Sequence, residues 1–184
     1  MEHSPIILSI LICSLEARGE LLFALLAELN KQMENRKDIE ILVETDSGEM
    51  TVGTKRNTLL SRAQGEYICF IDDDDSIAPN YILSIMKALE KYPDCVGIEG
   101  VLRTTGNPDL LFKHSIQFQG WYTGVDAFYR TPNHLNPVKR KIAIEIGFPC
   151  KDFGEDHWYS NAIQQRIKTE EYINYPIYIY NKAD

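Results

Sequence analysis

Two groups of carboxylates in the sequence could hold a metal ion and move a proton. The first is the run of four aspartates at residues 72–75 in FIDDDDSIAP, directly after an apolar segment. Adjacent carboxylates repel one another unless solvent screens them or a cation offsets their charge. Hard divalent ions such as Mg²⁺ and Mn²⁺ take oxygen ligands and leave positions open for phosphate. The run therefore predicts either a metal–diphosphate site or an exposed acidic start of the next helix.

The second group is Glu155 and Asp156 in FGEDHWYS, at the predicted beginning of a helix. Taken alone, such a pair is more often a simple charge pair at a helix start. A carboxylate that faces a metal-held leaving group across a cleft can instead act as a general base toward a hydroxyl. Three nearby candidates, Lys55, Arg56 and Asn57, would either contact phosphate or brace the acidic strand end.

The predicted order of helices and strands explains why these groups would meet. Three apolar runs predict buried strands, at 6–13, 39–44 and 65–71, and apolar residues at helical spacing predict helices within 15–33, 54–64 and 80–92. Alternation of strand and helix indicates a largely parallel sheet with helices on both faces. Ligands bind such sheets beyond the carboxyl ends of the strands, which is where the four aspartates lie.

The pattern after residue 94 changes from alternation to a mixture. Residues 95–100 predict a fourth strand, and residues 110–131 predict mixed or antiparallel strands. Asn136 and Pro137 predict the N-cap and first turn of a helix that ends at Gly147. A last helix is predicted to follow Gly154, and a β-rich tail interrupted by Pro176 comes after it.

Composition limits the compartment and the partners. With 184 residues and no linker we expect a single domain over 1–184, with a nucleotide-binding half at about 5–100 and an acceptor-side half at about 101–184. The net charge of −8 argues against a long nucleic-acid groove, because such grooves rely on Lys and Arg. The four cysteines lack a CxxC pair that would suggest zinc or redox chemistry, and Cys13 and Cys69 lie in apolar runs where a free thiol packs as a small hydrophobic group, so we expect a reducing compartment. PIILSILIC is too short to span a bilayer, so we expect a soluble cytoplasmic protein without a transmembrane segment.

The chain resembles family 2 glycosyltransferases of the GT-A fold over roughly residues 6–180. Four blocks carry the resemblance: LSILICSLEAR, VETDSGEMTVGTKRNTLLSRAQGEYICFIDDDD, TPNHLNPVKRKIAIEIGF and FGEDHWYS. The second block is the most specific, since it contains an Asp-containing loop, a Gly-x-x-Arg-Asn helix, a strand and a DxD motif in the family's order. The fourth block is similar to the family's ED motif. The implied fold is a single-domain, Rossmann-like α/β fold with a mostly parallel central sheet and a small mixed or antiparallel part toward the C-terminus.

The resemblance implies an inverting, metal-dependent transfer of a sugar from a nucleotide-diphosphate sugar, a UDP-sugar, to an acceptor hydroxyl. Asp156 would be the general base, with Glu155 beside it near the acceptor. The residues implied to contact or support the nucleotide sugar are Ser14, Arg18, Asp46, Lys55, Arg56, Asn57, Asp72, Asp73, His134 and Arg140. The acceptor stays open among a saccharide, a lipid-linked molecule, a protein and a modified nucleic acid.

The resemblance also implies a cofactor, Mn²⁺ or Mg²⁺, held by Asp74 together with Asp72. Whether His134 or Asp75 joins the metal site stays open, and Asp75 is alternatively a cap of the following helix. Two tryptophans at 121 and 158 and Tyr122 could stack on a sugar ring, although packing is the favoured interpretation.

Two other functions stay open at this point. A metal-dependent nuclease or phosphotransferase also clusters carboxylates at strand ends, but it uses two ions about 4 Å apart and favours a basic face, which the net charge counts against. A catalytically inactive nucleotide-sugar-binding protein is the second alternative, and the presence of both acidic groups argues against it.

Overall fold

A single ten-stranded sheet runs through both predicted halves of the chain. The computed structural model describes residues 5–182. The strands are β1 (Leu8–Leu15), β2 (Ile39–Asp46), β3 (Tyr67–Phe70), β4 (Ser76–Ile77), β5 (Cys95–Thr104), β6 (Leu110–His114), β7 (Tyr122–Thr123), β8 (Ala127–Arg130), β9 (Val138–Lys139) and β10 (Glu170–Lys182). The helices are α1 (Gly19–Met33, after a 3₁₀ turn at Glu16–Arg18), α2 (Val52–Arg62), α3 (Tyr81–Leu89), α4 (Arg140–Ile146) and α5 (Glu155–Gln164).

Parallel strands form the centre of the N-terminal part of the sheet. β1 pairs with β2 on one side and with β3 on the other, both in parallel. Side chains alternate along β1, so that Ile10 and Ile12 pack with α1 and α3, while Leu11 packs on the opposite face with α2, α4 and α5. Helices therefore cover both faces, as the continuous apolar character of these strands predicts.

The C-terminal part of the sheet is mixed, as the sequence predicts. β5 pairs antiparallel with β6 and in parallel with β10, and β8 pairs in parallel with β6 and antiparallel with β7. The register of β10 shifts on both sides of Pro176, which is the predicted interruption of that strand. Across residues 5–182, no helix is both long enough and apolar enough to cross a membrane.

The prediction of a helix beginning at Asn136 is wrong. The Asn136 side chain is fully buried, where it donates to the Val96 carbonyl at 2.9 Å and accepts from the Asn133 amide at 3.0 Å. These contacts hold the loop, and β9 follows after Pro137 and inserts between β3 and β5. The helix α4 therefore begins at Arg140; its end before Gly147, at φ 64°, is as predicted.

Candidate active site

A cavity of about 500 Å³ brings the two acidic groups together at the carboxyl end of β3. Asp72 lines it from the loop after β3, and Glu155 and Asp156 line it from the first turn of α5. In a parallel sheet, the carboxyl ends of neighbouring strands open toward the same edge. The arrangement therefore provides a cleft with carboxylates contributed by two distant segments of the chain.

Arg56 of α2 connects the two acidic groups. Its Nη1 donates to Glu155 Oε1 at 2.6 Å, and its Nη2 donates to Asp72 Oδ1 at 3.3 Å. The guanidinium lies beside two aromatic rings, 5.5 Å from the centroid of Phe70 and 5.3 Å from that of Phe148. Because Arg56 and Glu155 are both buried, each depends on the other to offset its charge. Arg56 thus braces the acidic strand end, which was one of its two predicted uses.

Asp72 presents a partly exposed carboxylate to the cavity. Its Oδ2 lies 3.3 Å from His134 Nε2, while its Oδ1 accepts from Arg56. Burial alone would raise the pKa of Asp72, but the neighbouring His134 imidazole and Arg56 guanidinium more than offset it and hold the pKa well below its usual range. His134 is itself buried, and its Nδ1 has no hydrogen-bond partner within the described residues. Asp72 is therefore a fixed, ionised oxygen donor.

Asp73 and Asp74 point away from that cavity and share Arg18. Arg18 Nη1 donates to Asp73 Oδ1 at 2.8 Å and to Asp74 Oδ2 at 3.1 Å, and Ser14 Oγ donates to Asp73 Oδ2 at 2.7 Å. Asp73 is buried, whereas the Asp74 side chain is 39% exposed and lines a separate depression beside α1. Burial raises the pKa of Asp74, with Arg18 opposing it and the carboxylates of Asp72 and Asp73 adding to it.

Asp75 ties the acidic loop to the last strand instead of capping a helix. Its Oδ2 accepts from the Tyr178 hydroxyl at 2.7 Å, and its Oδ1 accepts from the Asn181 amide at 2.8 Å. Burial raises the pKa of Asp75 to about 8. The alternative that Asp75 caps the following helix is wrong, since α3 begins after Asn80 and Asp75 is committed to β10.

Asp46 and Lys55 form a buried ion pair at the ends of β1 and β2. Lys55 Nζ donates to Asp46 Oδ1 at 2.5 Å and to the Ser14 carbonyl at 2.8 Å, and the Met50 amide donates to Asp46 Oδ2 at 2.6 Å. The hydrogen bond from Lys55, followed by that from Met50, lowers the pKa of Asp46. These two predicted donor-binding residues therefore bind each other and fix the geometry of the strand ends.

The start of α2 packs directly against the loop that precedes α5. Asn57 Nδ2 donates to the Phe148 carbonyl and its Oδ1 accepts from the Phe148 amide, both at 2.8 Å. The Gly53 amide donates to the Lys151 carbonyl at 3.1 Å, and a Cβ at Gly53 would lie 1.9 Å from the Pro149 carbonyl oxygen. The spacing Gly-x-x-Arg-Asn thus places a close backbone contact, an ion pair and an amide clamp on one helix face.

Comparison with known protein families matches residues 24–150 to the description "Glycosyl transferase family 2". The chain belongs to this family. The match includes the acidic run at 72–75 but ends before Glu155. The assignment of Glu155 and Asp156 to the site therefore depends on their position in the cavity. Membership of family 2 favours the glycosyltransferase interpretation over the nuclease or phosphotransferase alternative. A comparison with curated proteins gives no match.

Solved structures with the same fold include residues 1–349 of S. aureus TarS. The first of these structures has a TM-score of 0.68 at 15% identity, and the alignment covers 96% of this chain and 60% of TarS 1–349. The complex with UDP-GlcNAc has a TM-score of 0.70 at 16% identity, covering 97% and 59%, and the complex with UDP has 0.69 at 16%, covering 97% and 61%. The chain spans about three fifths of these TarS structures, and at such identity the likeness shows the GT-A fold alone.

Arg140 is a predicted site residue that the structure does not bring to the cavity of this family 2 fold. Its Nε donates to the Gly65 carbonyl at 2.8 Å and its amide donates to the Glu66 carbonyl at 2.8 Å. Both acceptors precede β3, at the amino end of the strand, whereas the cavity lies at the carboxyl end. Arg140 therefore begins α4 and fastens it to the opposite edge of the sheet.

The oxygen donors available for a metal ion are few. Within residues 5–182, no three or more His, Cys, Asp or Glu residues are grouped so that they could hold an ion together. Mg²⁺ commonly uses only one or two carboxylates and takes its other ligands from water and substrate phosphates. Asp72 lines the cavity and Asp74 lines the separate depression beside α1, so the structure supplies these carboxylates singly, and an ion at either one would take its remaining ligands from water and phosphate.

Sequence reasoning missed several residues that line the cavity of this family 2 chain. They are Phe153, which precedes the ED motif, Tyr180 and Lys182 of β10, and Arg130, which ends β8. Arg130 directly precedes the block TPNHLNPVKRKIAIEIGF, so its position in the sequence was an available signal. The others approach through tertiary pairing of β10 with β5 and through the turn before α5, which local patterns do not encode.

The three aromatic residues considered for sugar stacking are mostly occupied by packing. Trp121 lines the cavity, but its ring contacts Arg130, and Tyr122 stacks on Tyr129 with ring centroids 5.0 Å apart. Trp158 is partly exposed on the outer side of α5, beside residues of α4. The favoured interpretation of these residues as packing groups agrees with this geometry.

Proposed function

We propose that this family 2 chain transfers a sugar from a UDP-sugar to an acceptor hydroxyl with inversion of configuration. The observation that carries the proposal is that Asp72 and Asp156 line one cavity while Arg56 binds both Asp72 and Glu155, the neighbour of Asp156 in α5. The TarS structures with UDP-GlcNAc and UDP have the same fold, which supports this class of donor by analogy. The halves at about 5–100 and 101–184 would then face the donor and the acceptor.

Asp156 is the proposed general base. Its Oδ1 accepts from the His157 amide at 2.7 Å, and its Oδ2 makes no hydrogen bond within residues 5–182. The acceptor oxygen forms a bond to the anomeric carbon, its proton passes to Asp156, and the bond from that carbon to the diphosphate oxygen breaks. A single displacement of this kind inverts the anomeric centre and needs no covalent enzyme intermediate.

Glu155 has a different task from its neighbour. Because its Oε1 accepts from Arg56 at 2.6 Å and its side chain is buried, it is held as part of the framework. We assign it a positioning role, in which it orients the first turn of α5 and hence Asp156. This separation leaves one carboxylate of the pair to contact the acceptor.

The donor end of the cavity is proposed at the ends of β1, β2 and β3. Asp72 and Asp74 would hold Mn²⁺ or Mg²⁺, which when bound would neutralise charge on the departing diphosphate. The residues proposed to shape this end are Ser14, Arg18, Asp46, Lys55, Arg56, Asn57, Asp73 and His134. Cys13, Cys69, Cys95 and Cys150 are all free thiols, which supports a proposed cytoplasmic location.

A panel of UDP-sugars assayed for UDP release with Mn²⁺ or Mg²⁺ tests the proposal. We expect turnover by the wild type with at least one donor, and loss of turnover on chelation and in Asp74→Ala. In Asp156→Asn we expect retained UDP binding by calorimetry and transfer reduced by about 10²–10⁴-fold, the usual contribution of a general base. Asp109→Asn, which changes an exposed carboxylate paired with Arg103, is the matched control.

Three results would contradict the proposal at different points. Wild-type turnover in Asp74→Ala would remove the metal assignment, and a wild-type rate in Asp156→Asn would remove the general base. UDP binding without turnover of any donor would instead favour the alternative of an inactive nucleotide-sugar-binding protein.

A further inference from the structure

Arg130 is a cation in the cavity wall that forms an ion pair with no acidic side chain of residues 5–182. It ends β8, and within residues 5–182 its guanidinium makes no hydrogen bond and no ion pair. Its guanidinium carbon lies 4.5 Å from the centroid of the Trp121 ring. Two other arginines near this site, Arg56 and Arg18, each contact two carboxylates.

Hydrogen bonds fix the position of the Trp121 indole that supports Arg130. Trp121 Nε1 donates to Thr131 Oγ1 and to Ser160 Oγ, both at 3.1 Å, and these two hydroxyl oxygens lie 2.6 Å apart. Ser160 belongs to α5, the helix that begins with the ED motif. The stacked pair is therefore positioned relative to Asp156 by a continuous set of hydrogen bonds.

Partial burial without a counter-charge leaves the donors of Arg130 available to a ligand. Burial lowers the pKa of Arg130, and the carboxylate of Asp156 opposes that effect without pairing with it. A guanidinium presents its five N–H donors in a planar fork that suits carboxylate and phosphate, and stacking on an indole fixes the plane of the fork. The Lys182 ammonium adds a second positive group to the same wall.

We infer that Arg130, stacked on Trp121, binds an anionic group of the acceptor, a phosphate or a carboxylate, while the reacting hydroxyl faces Asp156. This inference rests on the proposed function. The acceptor is favoured over the donor because the Trp121 indole beneath Arg130 is hydrogen-bonded to Ser160 of α5, the helix that carries the proposed base Asp156.

Three probes of similar shape test the site: glucose, glucose 6-phosphate and glucuronate. Each is titrated calorimetrically into the protein alone and into the protein saturated with UDP and Mn²⁺, at fixed ionic strength. We expect at least one anionic probe to bind the wild type about tenfold or more tightly than glucose, as charge-assisted hydrogen bonds provide. Preference for glucose 6-phosphate alone identifies a phosphate acceptor, and preference for glucuronate alone identifies a uronic acid.

The variants are Arg130→Ala, Arg130→Lys and the control Arg103→Ala, whose arginine is exposed and paired with Asp109 outside the cavity. We expect Arg130→Ala to lose the preference for anions, Arg130→Lys to keep part of it, and Arg103→Ala to keep all of it, with UDP affinity unchanged throughout. Thermal melting confirms that each variant folds, and if Arg130→Ala does not, Arg130→Lys decides.

Two results would overturn the inference. One is equal binding of glucose and both anions, including no binding of any probe, by the wild type. The other is an Arg130 variant that weakens UDP as much as it weakens the anions, which would assign the arginine to the donor. These results differ from those expected if the proposed function were wrong. In that case the wild type would not bind UDP or turn over a donor, but the protein alone would still bind the anionic probes more tightly than glucose.

Discussion

The two ends of the cavity neutralise charge in opposite ways. At the end formed by β1 to β3, Arg56 contacts Asp72 and Glu155, and Lys55 contacts Asp46. At the end formed by β8, Arg130 contacts an indole and no acid within the described residues. The first end is therefore preorganised by ion pairs that form on folding, whereas the second keeps a charge available for a ligand. Substitutions at the first end should cost stability, and substitutions at the second should cost binding.

The largest effect expected from this comparison is that of Arg56→Ala. The change leaves Glu155 buried without its partner and removes a cation that packs against both Phe70 and Phe148. We expect a loss of about 3–5 kcal/mol in the free energy of unfolding, measured by urea denaturation. Transfer should fall by about 10²-fold or more, because small displacements of catalytic groups have effects of that size.

Arg62→Ala on the same helix is the control for that variant. Arg62 pairs with Glu44 on the surface, and such exposed pairs contribute only about 0–1 kcal/mol. Equal urea midpoints for the two variants would show that the donor end is not held by its buried pairs, and would break the comparison.

Asp46→Asn tests the same end through pH. The Lys55 hydrogen bond lowers the pKa of Asp46 below its ordinary 3.8, so the pair stabilises the folded state above that pH and loses its effect as the pH falls through the folded value. At pH 7 we expect the variant to be about 3 kcal/mol less stable, since Lys55 is left buried and unpaired. The difference from the wild type should narrow below about pH 4.

The measurement is urea denaturation of both proteins from pH 7 to pH 3. Asp38→Asn, which alters a more exposed pair with Arg36, should differ from the wild type by less than about 1 kcal/mol at pH 7. A constant difference between Asp46→Asn and the wild type across the whole range would exclude the ion pair as its cause.

The contrast between the two ends also explains what the sequence could predict. The strands and helices up to residue 94 follow from apolar periodicity, which is local, and the acidic groups follow from their position at element ends. The partners of those groups are not local: Arg56 is 99 residues from Glu155, and Asp75 is 106 residues from Asn181. Pairings of that separation arise from the sheet order, in which β10 inserts beside β5 and β4.

Two predictions failed for a related reason. Asn136 followed by a proline is typical of a helix start. In the structure its side-chain amide instead donates to the Val96 carbonyl of β5, and this tertiary hydrogen bond outweighs the local preference. Arg140 lies in a block that resembles the acceptor segment of the family. Its side chain nevertheless contacts the residues before β3, because α4 begins at the amino end of that strand. Neither outcome is encoded in spacing along the chain.

Gly53→Ala tests the joint between the two ends. Alanine normally stabilises a helix by about 1 kcal/mol relative to glycine, but a Cβ here would lie 1.9 Å from the Pro149 carbonyl oxygen. We expect a net loss of about 1–3 kcal/mol in the free energy of unfolding, with reduced transfer, because the loop before α5 must move. At Gly19, where nothing lies within 4 Å, the same change should be neutral or slightly stabilising. Equal stability of the two variants would show that the close contact between Gly53 and Pro149 does not limit stability.

The smallest effect on stability is expected for Phe153→Ala, at the acceptor side. Phe153 is 90% exposed although it lines the cavity, so its removal should change the free energy of unfolding by less than about 0.5 kcal/mol. An exposed ring beside Asp156 can cover the apolar face of a bound sugar, and aromatic contacts of this kind contribute about 0.5–1.5 kcal/mol. The KM for the acceptor that gives the highest turnover should therefore rise about two- to tenfold, with UDP affinity unchanged. Phe23→Ala, which removes an exposed ring on α1, should change neither quantity.

If Phe153→Ala weakened UDP binding instead, the ring would belong to the donor end. The cavity would then not be divided into a preorganised end and a ligand-dependent end as described.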